Sequence, residues 1–290
     1  MIKINPITVA EPDTHEEILS RRQTPITAPP VLAALALRFQ EYDNGCPALL
    51  EPTALSPVLQ PYKSDLLSLY VSNIVPAKAL RKSIRDLPLT RCPYCGRHGK
   101  PKTLDHFLPK DDYPEFSLYY KNLIPCCWTC NHAKRKQLWD ETTGARLFLN
   151  PYFDSLLSEP FVQVTIYPDP GSGSFEVPLF HFSFSQQVIT ALEQQICMSH
   201  FDLLQFKPDM AAWFAEKLRV TRRSYFRRVS RGRLAITDLE DDLDDDISDA
   251  VQEGGVNSWE AIFYRALRSN APLIAYIVAN PLRPSPAIGI

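Results

Sequence analysis

Apolar positions in the first third of the chain recur at helical spacing. Leu32, Leu35, Leu37 and Phe39 give one apolar side to residues 31–42, which predicts a helix ended by Gly45 and Pro47. Before it, residues 1–30 are rich in Pro and Thr without periodicity and predict an extended arm. The four prolines between Pro47 and Pro61 predict a loop. Two further helices are predicted over 65–75 and 76–87, the second with Pro at its first position. Its Lys78, Arg81, Lys82 and Arg85 fall three and four apart, on one face. Beyond Asn150-Pro151 the period shortens to two. Residues 161–167 alternate, Gly171-Ser-Gly-Ser174 offers a turn, and 175–184 alternate back with Phe180, Phe182 and Phe184 on one face. A β-hairpin is predicted there. Helical spacing returns over 186–206, 209–231, 258–269 and 272–280, and no internal repeat is visible.

Composition is that of a globular protein, with 45% apolar and 22% charged residues among 290, enough for one large domain or two modest ones. The longest apolar run, 271–279, contains Pro272 and falls short of the roughly 20 residues a membrane helix needs. Residues 1–6 lack the apolar stretch of a secretory leader, so a cytoplasmic protein without membrane association is expected.

A net charge of −2 hides strong segregation. Residues 78–110 carry +7, residues 210–233 another +7, and residues 237–253 carry nine acids and no base. Either the acidic stretch masks a basic surface, or the two pair as a solvated helical hairpin.

Five of the seven cysteines lie between residues 92 and 130. Cys92-Pro-Tyr-Cys95 and Cys127-Trp-Thr-Cys130 form two CxxC pairs, and four thiolates complete a tetrahedral structural zinc site. No thioredoxin-like βαβ pattern flanks either pair, which speaks against redox chemistry. Cys126 is a substitute ligand, though the CxxC spacing favours Cys127. Gly96 suits the tight turn after the first pair. Cys46 and Cys197 stand apart and read as small buried hydrophobes.

Between the pairs lies Thr103-Leu-Asp-His-Phe-Leu-Pro-Lys110. On an extended strand Asp105 and His106 point to opposite faces, so one can bind a metal while the other stays free as a base. Asn122 follows, and Asn131, His132 and Lys134 come directly after the second CxxC.

These residues, within 91–137, resemble the HNH nucleases, the zinc-braced form of the ββα-metal fold. The resemblance implies that His106 is the general base activating water, and that Asp105 ligates a catalytic Mg²⁺ or Mn²⁺. It makes Asn122 the central N that braces the loop carrying the base. The place of the final His is held by Asn131, an HNN variant with Asn131 as second metal ligand. His132, about 100° further round a helix, is the alternative. An O-donor pair suits a hard cation. Lys134 matches a common Lys of the family and would meet a phosphate.

More particularly, Asp105 to Lys110, Tyr113-Pro-Glu-Phe-Ser117 and Asn150-Pro-Tyr152 resemble the HNH subunits of bacterial anti-phage systems, the Septu pair and retron-linked ATPase–HNH modules. That resemblance implies an ATPase partner. No GxxxxGK[ST] loop occurs here, so ATPase activity would belong to another chain.

Lys110, Lys134, Arg135, Arg222 and Arg223 are the candidate nucleic-acid contacts. Residues 209–231 interleave Tyr225 and Phe226 with Arg222, Arg223, Arg227 and Arg228, a pattern that suits stacking on unpaired bases. Trp213, Phe214, Leu218 and Phe226 also fit a core-facing stripe. The expected protein is α+β. Residues 1–90 form an N-terminal arm and helical segment, 91–150 an HNH module with a four-cysteine structural zinc site, and 151–290 a β-hairpin with helices. The expected function is a metal-dependent DNA endonuclease in anti-phage defence. The competing readings are a zinc-knuckle nucleic-acid-binding module without catalysis and an HNH-type RNase or toxin.

Overall fold

The structure, a computed structural model, describes residues 1–9, 13–46, 51–229 and 236–280, the side chains of 13, 226, 227, 229, 236 and 237 excepted. The described chain forms two compact units, one of residues 1–155 with 195–204, the other of 156–194 with 205–290. Residues 1–90 therefore belong to the same unit as 91–150.

The first unit opens as the expected arm. Ile2 N donates to the Pro93 carbonyl and Ile4 N to the Pro151 carbonyl, both at 3.0 Å, and Met1 and Ile4 are buried. The arm does not stay extended to residue 30, because α1 (Asp13–Ser20) interrupts it. Its His15, Ile18 and Leu19 share one face and are all buried. α2 (Pro29–Gly45), α3 (Lys63–Ser68) and α4 (Val75–Arg85) follow, α2 and α4 with Pro in the first turn. On α4 the cations do not form a free face. Lys78, Lys82 and Arg85 are exposed, but Arg81 is buried with Nη2 2.7 Å from the Ser72 carbonyl.

β1 (Thr103–His106) pairs antiparallel with β2 (Leu123–Cys126), Thr103 opposite Cys126 and His106 opposite Leu123. α5 (Trp128–Lys134) follows β2 directly, which completes a ββα unit. Packed against it, α2 supplies Phe39, stacked on Tyr119 at 4.4 Å and 3°, and Tyr42, edge-on to Phe116 at 5.0 Å. Arg38 of α2 reaches the buried Glu115 carboxylate at 2.6 Å, and the Ser117 hydroxyl donates to the Leu66 carbonyl of α3. The loop between the strands is thus fixed by the N-terminal helices.

The second unit holds the predicted hairpin, β3 (Val162–Tyr167) with β4 (Leu179–Phe184), in the register Val162 to Phe184 and Tyr167 to Leu179. α6 (Ala191–Leu204) starts at a capping box between Thr190 and Glu193 and passes from this unit into the first. α7 (Lys207–Val229), α8 (Ile236–Gly254), α9 (Trp259–Arg268) and α10 (Ala271–Ala279) complete the unit. Phe180 and Phe182 meet Phe214, and Trp213 lies edge-on to Phe263 at 6.1 Å, so Trp213 and Phe214 of α7 pack into the core. The acidic stretch is helix α8. Its Asp242 pairs with Arg228 of α7, and its Asp244 accepts from Arg268 of α9 at 3.0 Å, which is the paired, solvated arrangement. No helix among the described residues is long and apolar enough to cross a membrane.

Candidate active site

The cysteine cluster is built from two tight turns. Gly96, at φ 74°, closes the first with its N–H 2.8 Å from the Cys92 carbonyl, a backbone conformation that glycine adopts without strain. Cys127 caps α5, its sulfur accepting from Cys130 N at 3.4 Å, while Cys127 N donates to the Cys92 sulfur at 3.3 Å. The sulfurs of Cys92, Cys95, Cys127 and Cys130 all lie within 4.8 Å of one another. Hydrogen bonds from Cys130, Cys92 and Cys95 hold the Cys127 thiol far below its ordinary range, and the same sharing pushes Cys130 far above. Four sulfurs this close can hold a metal ion, and the donor set suits a structural zinc site. Cys126 lies outside the set. It is buried beside Thr103, whose hydroxyl is 3.4 Å from its sulfur. Cys46 and Cys197 are buried as expected.

His106 ends β1. Its Nε2 lies 2.8 Å from the Ser117 carbonyl and its ring meets Tyr70 edge-on at 4.4 Å. The carbonyl accepts, so Nε2 carries the proton and Nδ1 is the basic nitrogen. Burial lowers the imidazole to about 4, aided by Lys110 and Lys134 and opposed by the Ser117 bond, so the ring is neutral at physiological pH.

Asp105 is buried on the opposite side of the strand. Its Oδ2 accepts from the Tyr94 hydroxyl at 2.7 Å and lies 3.1 Å from Lys134 Nζ. Burial raises its carboxyl above the ordinary value, against the pull of both neighbours. Asn122 is buried and fully engaged. Its Oδ1 accepts from Leu108 N at 2.7 Å and from the Tyr42 hydroxyl at 3.2 Å, and its Nδ2 donates to the Leu108 and Phe116 carbonyls. It ties the loop after His106 to β2.

Asn131 sits on α5 facing β1, its Nδ2 3.4 Å from the Leu104 carbonyl, and among the described residues no hydrogen bond engages its Oδ1. His132 is exposed and turned away, stacked on Trp128 at 4.8 Å and 8°. The helix therefore presents Asn131, not His132, to the strand that carries Asp105.

Several candidate nucleic-acid contacts are placed otherwise than expected. Lys134 is 0% exposed, and its Nζ meets the Asp105 carboxylate and the His106 and Phe107 carbonyls at 2.9 and 3.0 Å. It braces the site and faces no solvent. Arg222 is buried, paired with Glu176 at 2.8 Å and bonded to the Asn280 carbonyl, and Tyr225 is buried too. Periodicity placed these in a basic, aromatic face, but α7 turns them toward its core. Phe226 and Arg227 lie outside the described side chains. Lys110 and Arg223 are partly exposed and Arg135 is exposed. The pattern of residue types alone did not single out three contributors: Tyr94, the Ser117 carbonyl and His200. The ring of His200 accepts from Leu149 N at 3.2 Å and donates to the Tyr94 carbonyl at 2.9 Å.

Residues 92–137 match the HNH endonuclease family. The chain carries an HNH endonuclease domain. Two relatives extend the comparison. The chain is 36% identical over 145 residues to Protein ea31 of Escherichia phage lambda, covering 47% of each chain. It is 32% identical over 59 residues to Septu protein PtuB of Bacillus thuringiensis, covering 19% of this chain and 23% of that one. The chain thus spans about half the length of the first relative and under a quarter of the second. No solved structure matches it.

Proposed function

We propose that this HNH domain makes the protein a metal-dependent endonuclease that hydrolyses DNA phosphodiester bonds. The observation that carries the reading is the state of His106. It is neutral, with Nε2 fixed on the Ser117 carbonyl and Nδ1 left as base, one residue from a buried carboxylate. A purely structural zinc knuckle has no use for a base held this way.

The Asp105 carboxylate and Asn131 Oδ1 fit a hard cation, since both are oxygen donors brought to the same strand. Asp105 and Asn131 would hold Mg²⁺ or Mn²⁺, which when bound supplies charge stabilisation at the scissile phosphate and leaving oxygen. The chain's own residues do the rest. His106 Nδ1 takes the proton of the attacking water, while the Ser117 carbonyl keeps Nε2 protonated and the ring oriented. Asn122 holds the loop between them, and Lys134 with Tyr94 fixes Asp105. Zn²⁺ on the four cysteines would lock α5 to the knuckle and so fix Asn131.

The resemblance to Septu protein PtuB favours a role in anti-phage defence; a cytoplasmic location and an ATPase on another chain belong to the same proposal. The test is cleavage of supercoiled plasmid by purified protein with Mg²⁺, Mn²⁺ or EDTA, beside His106→Ala. Metal-dependent nicking or linearisation lost in the variant supports the reading. Cleavage that survives in the variant defeats it.

A further inference from the structure

Trp128 is 67% exposed although it stands in the first turn of the helix that carries Asn131. One face of its indole is covered by His132, stacked at 4.8 Å and 8°. Among the described residues no other ring and no cation lies on it. At 100° per residue Trp128 lies between the two on α5, 60° from Asn131 on one side and 40° from His132 on the other, so the ledge adjoins the candidate metal ligand. Arg135 follows α5 directly, its Nε 3.3 Å from the His132 carbonyl, and forms no ion pair among the described residues, whereas its neighbour Lys136 is paired with Asp111.

A large ring left in water with one face open suits a partner that supplies another ring. The exposed residues of α5 other than Trp128 are Thr129 and His132, with no exposed aliphatic side chain among them, unlike the apolar centre of a protein interface. An aromatic ledge beside an unpaired guanidinium matches a base flanked by its phosphate.

We propose that Trp128 and His132 form a stacking ledge for an unpaired nucleobase, with Arg135 on the adjoining phosphate, so that the enzyme prefers strands whose bases are unpaired beside the cleaved bond. The proposal rests on the nuclease reading for its purpose, but its test does not require cleavage.

The test measures binding of a short labelled strand and of the duplex of the same sequence, in DNA and in RNA, to zinc-loaded protein made inert by His106→Ala. Fluorescence anisotropy and tryptophan emission give the readouts. The parent is expected to bind the single strand more tightly than the duplex, with quenched emission, in at least one sugar form. Adding Trp128→Ala should weaken the single strand roughly 5- to 100-fold, the range for loss of one base–aromatic stack, and weaken the duplex less. Trp128→Phe should retain most of the affinity, and His132→Ala should fall between. Retained zinc in each variant checks folding. Equal binding of strand and duplex by the parent overturns the proposal. So does a Trp128→Ala loss equal on both forms, or no loss in either sugar, which would turn attention to a protein partner. If plasmid cleavage fails while Trp128-dependent strand binding persists, the nuclease reading falls and the ledge stands.

Discussion

Lys134 Nζ lies 3.1 Å from Asp105 Oδ2, and the two side chains are 0% and 3% exposed. A charge pair withdrawn this far from water is destabilising when only one member is removed, because the other stays buried without compensation. Lys134 also donates to the carbonyls of His106 and Phe107, so one ammonium holds both the candidate metal ligand and the strand end that carries the base.

Lys134→Met should therefore cost about 3–5 kcal/mol of stability, the range for breaking a buried ion pair. Urea unfolding of the zinc-loaded protein measures it. A variant of unchanged stability that only weakened substrate binding would restore Lys134 as a phosphate contact.

Cys92→Ser should lose bound zinc and unfold the ββα unit, because the free energy of structural zinc is folding free energy. Zinc content by mass spectrometry and far-UV circular dichroism read the two effects. One zinc retained per chain would exclude Cys92 from the ligand set.

Asn131→Ala should reduce plasmid cleavage far more than His132→Ala. Asn131 faces the Leu104 carbonyl on β1, while His132 stacks outward on Trp128. The reverse order of rates would make His132 the metal ligand.

Much of this site was legible because its chemistry is local in sequence. Two CxxC pairs, an Asp-His step and a Cys-Asn step each depend on neighbours along the chain, and the structure brings the four sulfurs together as their spacing implies. What escaped was long-range. Arg222 and Tyr225 read as a basic aromatic surface, but helical spacing does not say which side of α7 faces the hairpin, and burial against Glu176 decides it. Lys134 read as a phosphate contact because only the fold shows the buried carboxylate beside it. α1 escaped because its amphipathic stretch is too short to stand out beside Pro12 and Pro25.

Arg135 closes α5 at φ 50° and ψ −124°, a conformation that side chains resist at a cost of about 1–3 kcal/mol. Arg135→Gly removes that strain and returns about 0.5–1 kcal/mol to the entropy of the unfolded chain, so it should stabilise the protein by about 1 kcal/mol. Arg135→Ala keeps the Cβ and should not. Thermal unfolding of the pair separates them, and equal melting temperatures would show that the backbone relaxes here.

His200 gives the fold a pH dependence of defined sign. Burial lowers its imidazole to about 3, and both ring nitrogens are engaged, one by Leu149 N and the other by the Tyr94 carbonyl. In the unfolded chain the ring titrates near pH 6.5. Between those values the unfolded state binds the extra proton, so stability rises with pH. The contribution is complete above about pH 6.5 and is lost progressively as pH falls toward about 3, at up to about 1.4 kcal/mol per unit. Acid also releases zinc by protonating thiolates, which steepens the loss in any variant that keeps the cysteines. The useful comparison is therefore wild type against His200→Gln, followed by urea unfolding from about pH 7 to pH 5. The wild type should lose stability more steeply than the variant below about pH 6.5, and parallel curves would mean that His200 takes up its proton as readily in the folded protein as in the unfolded chain.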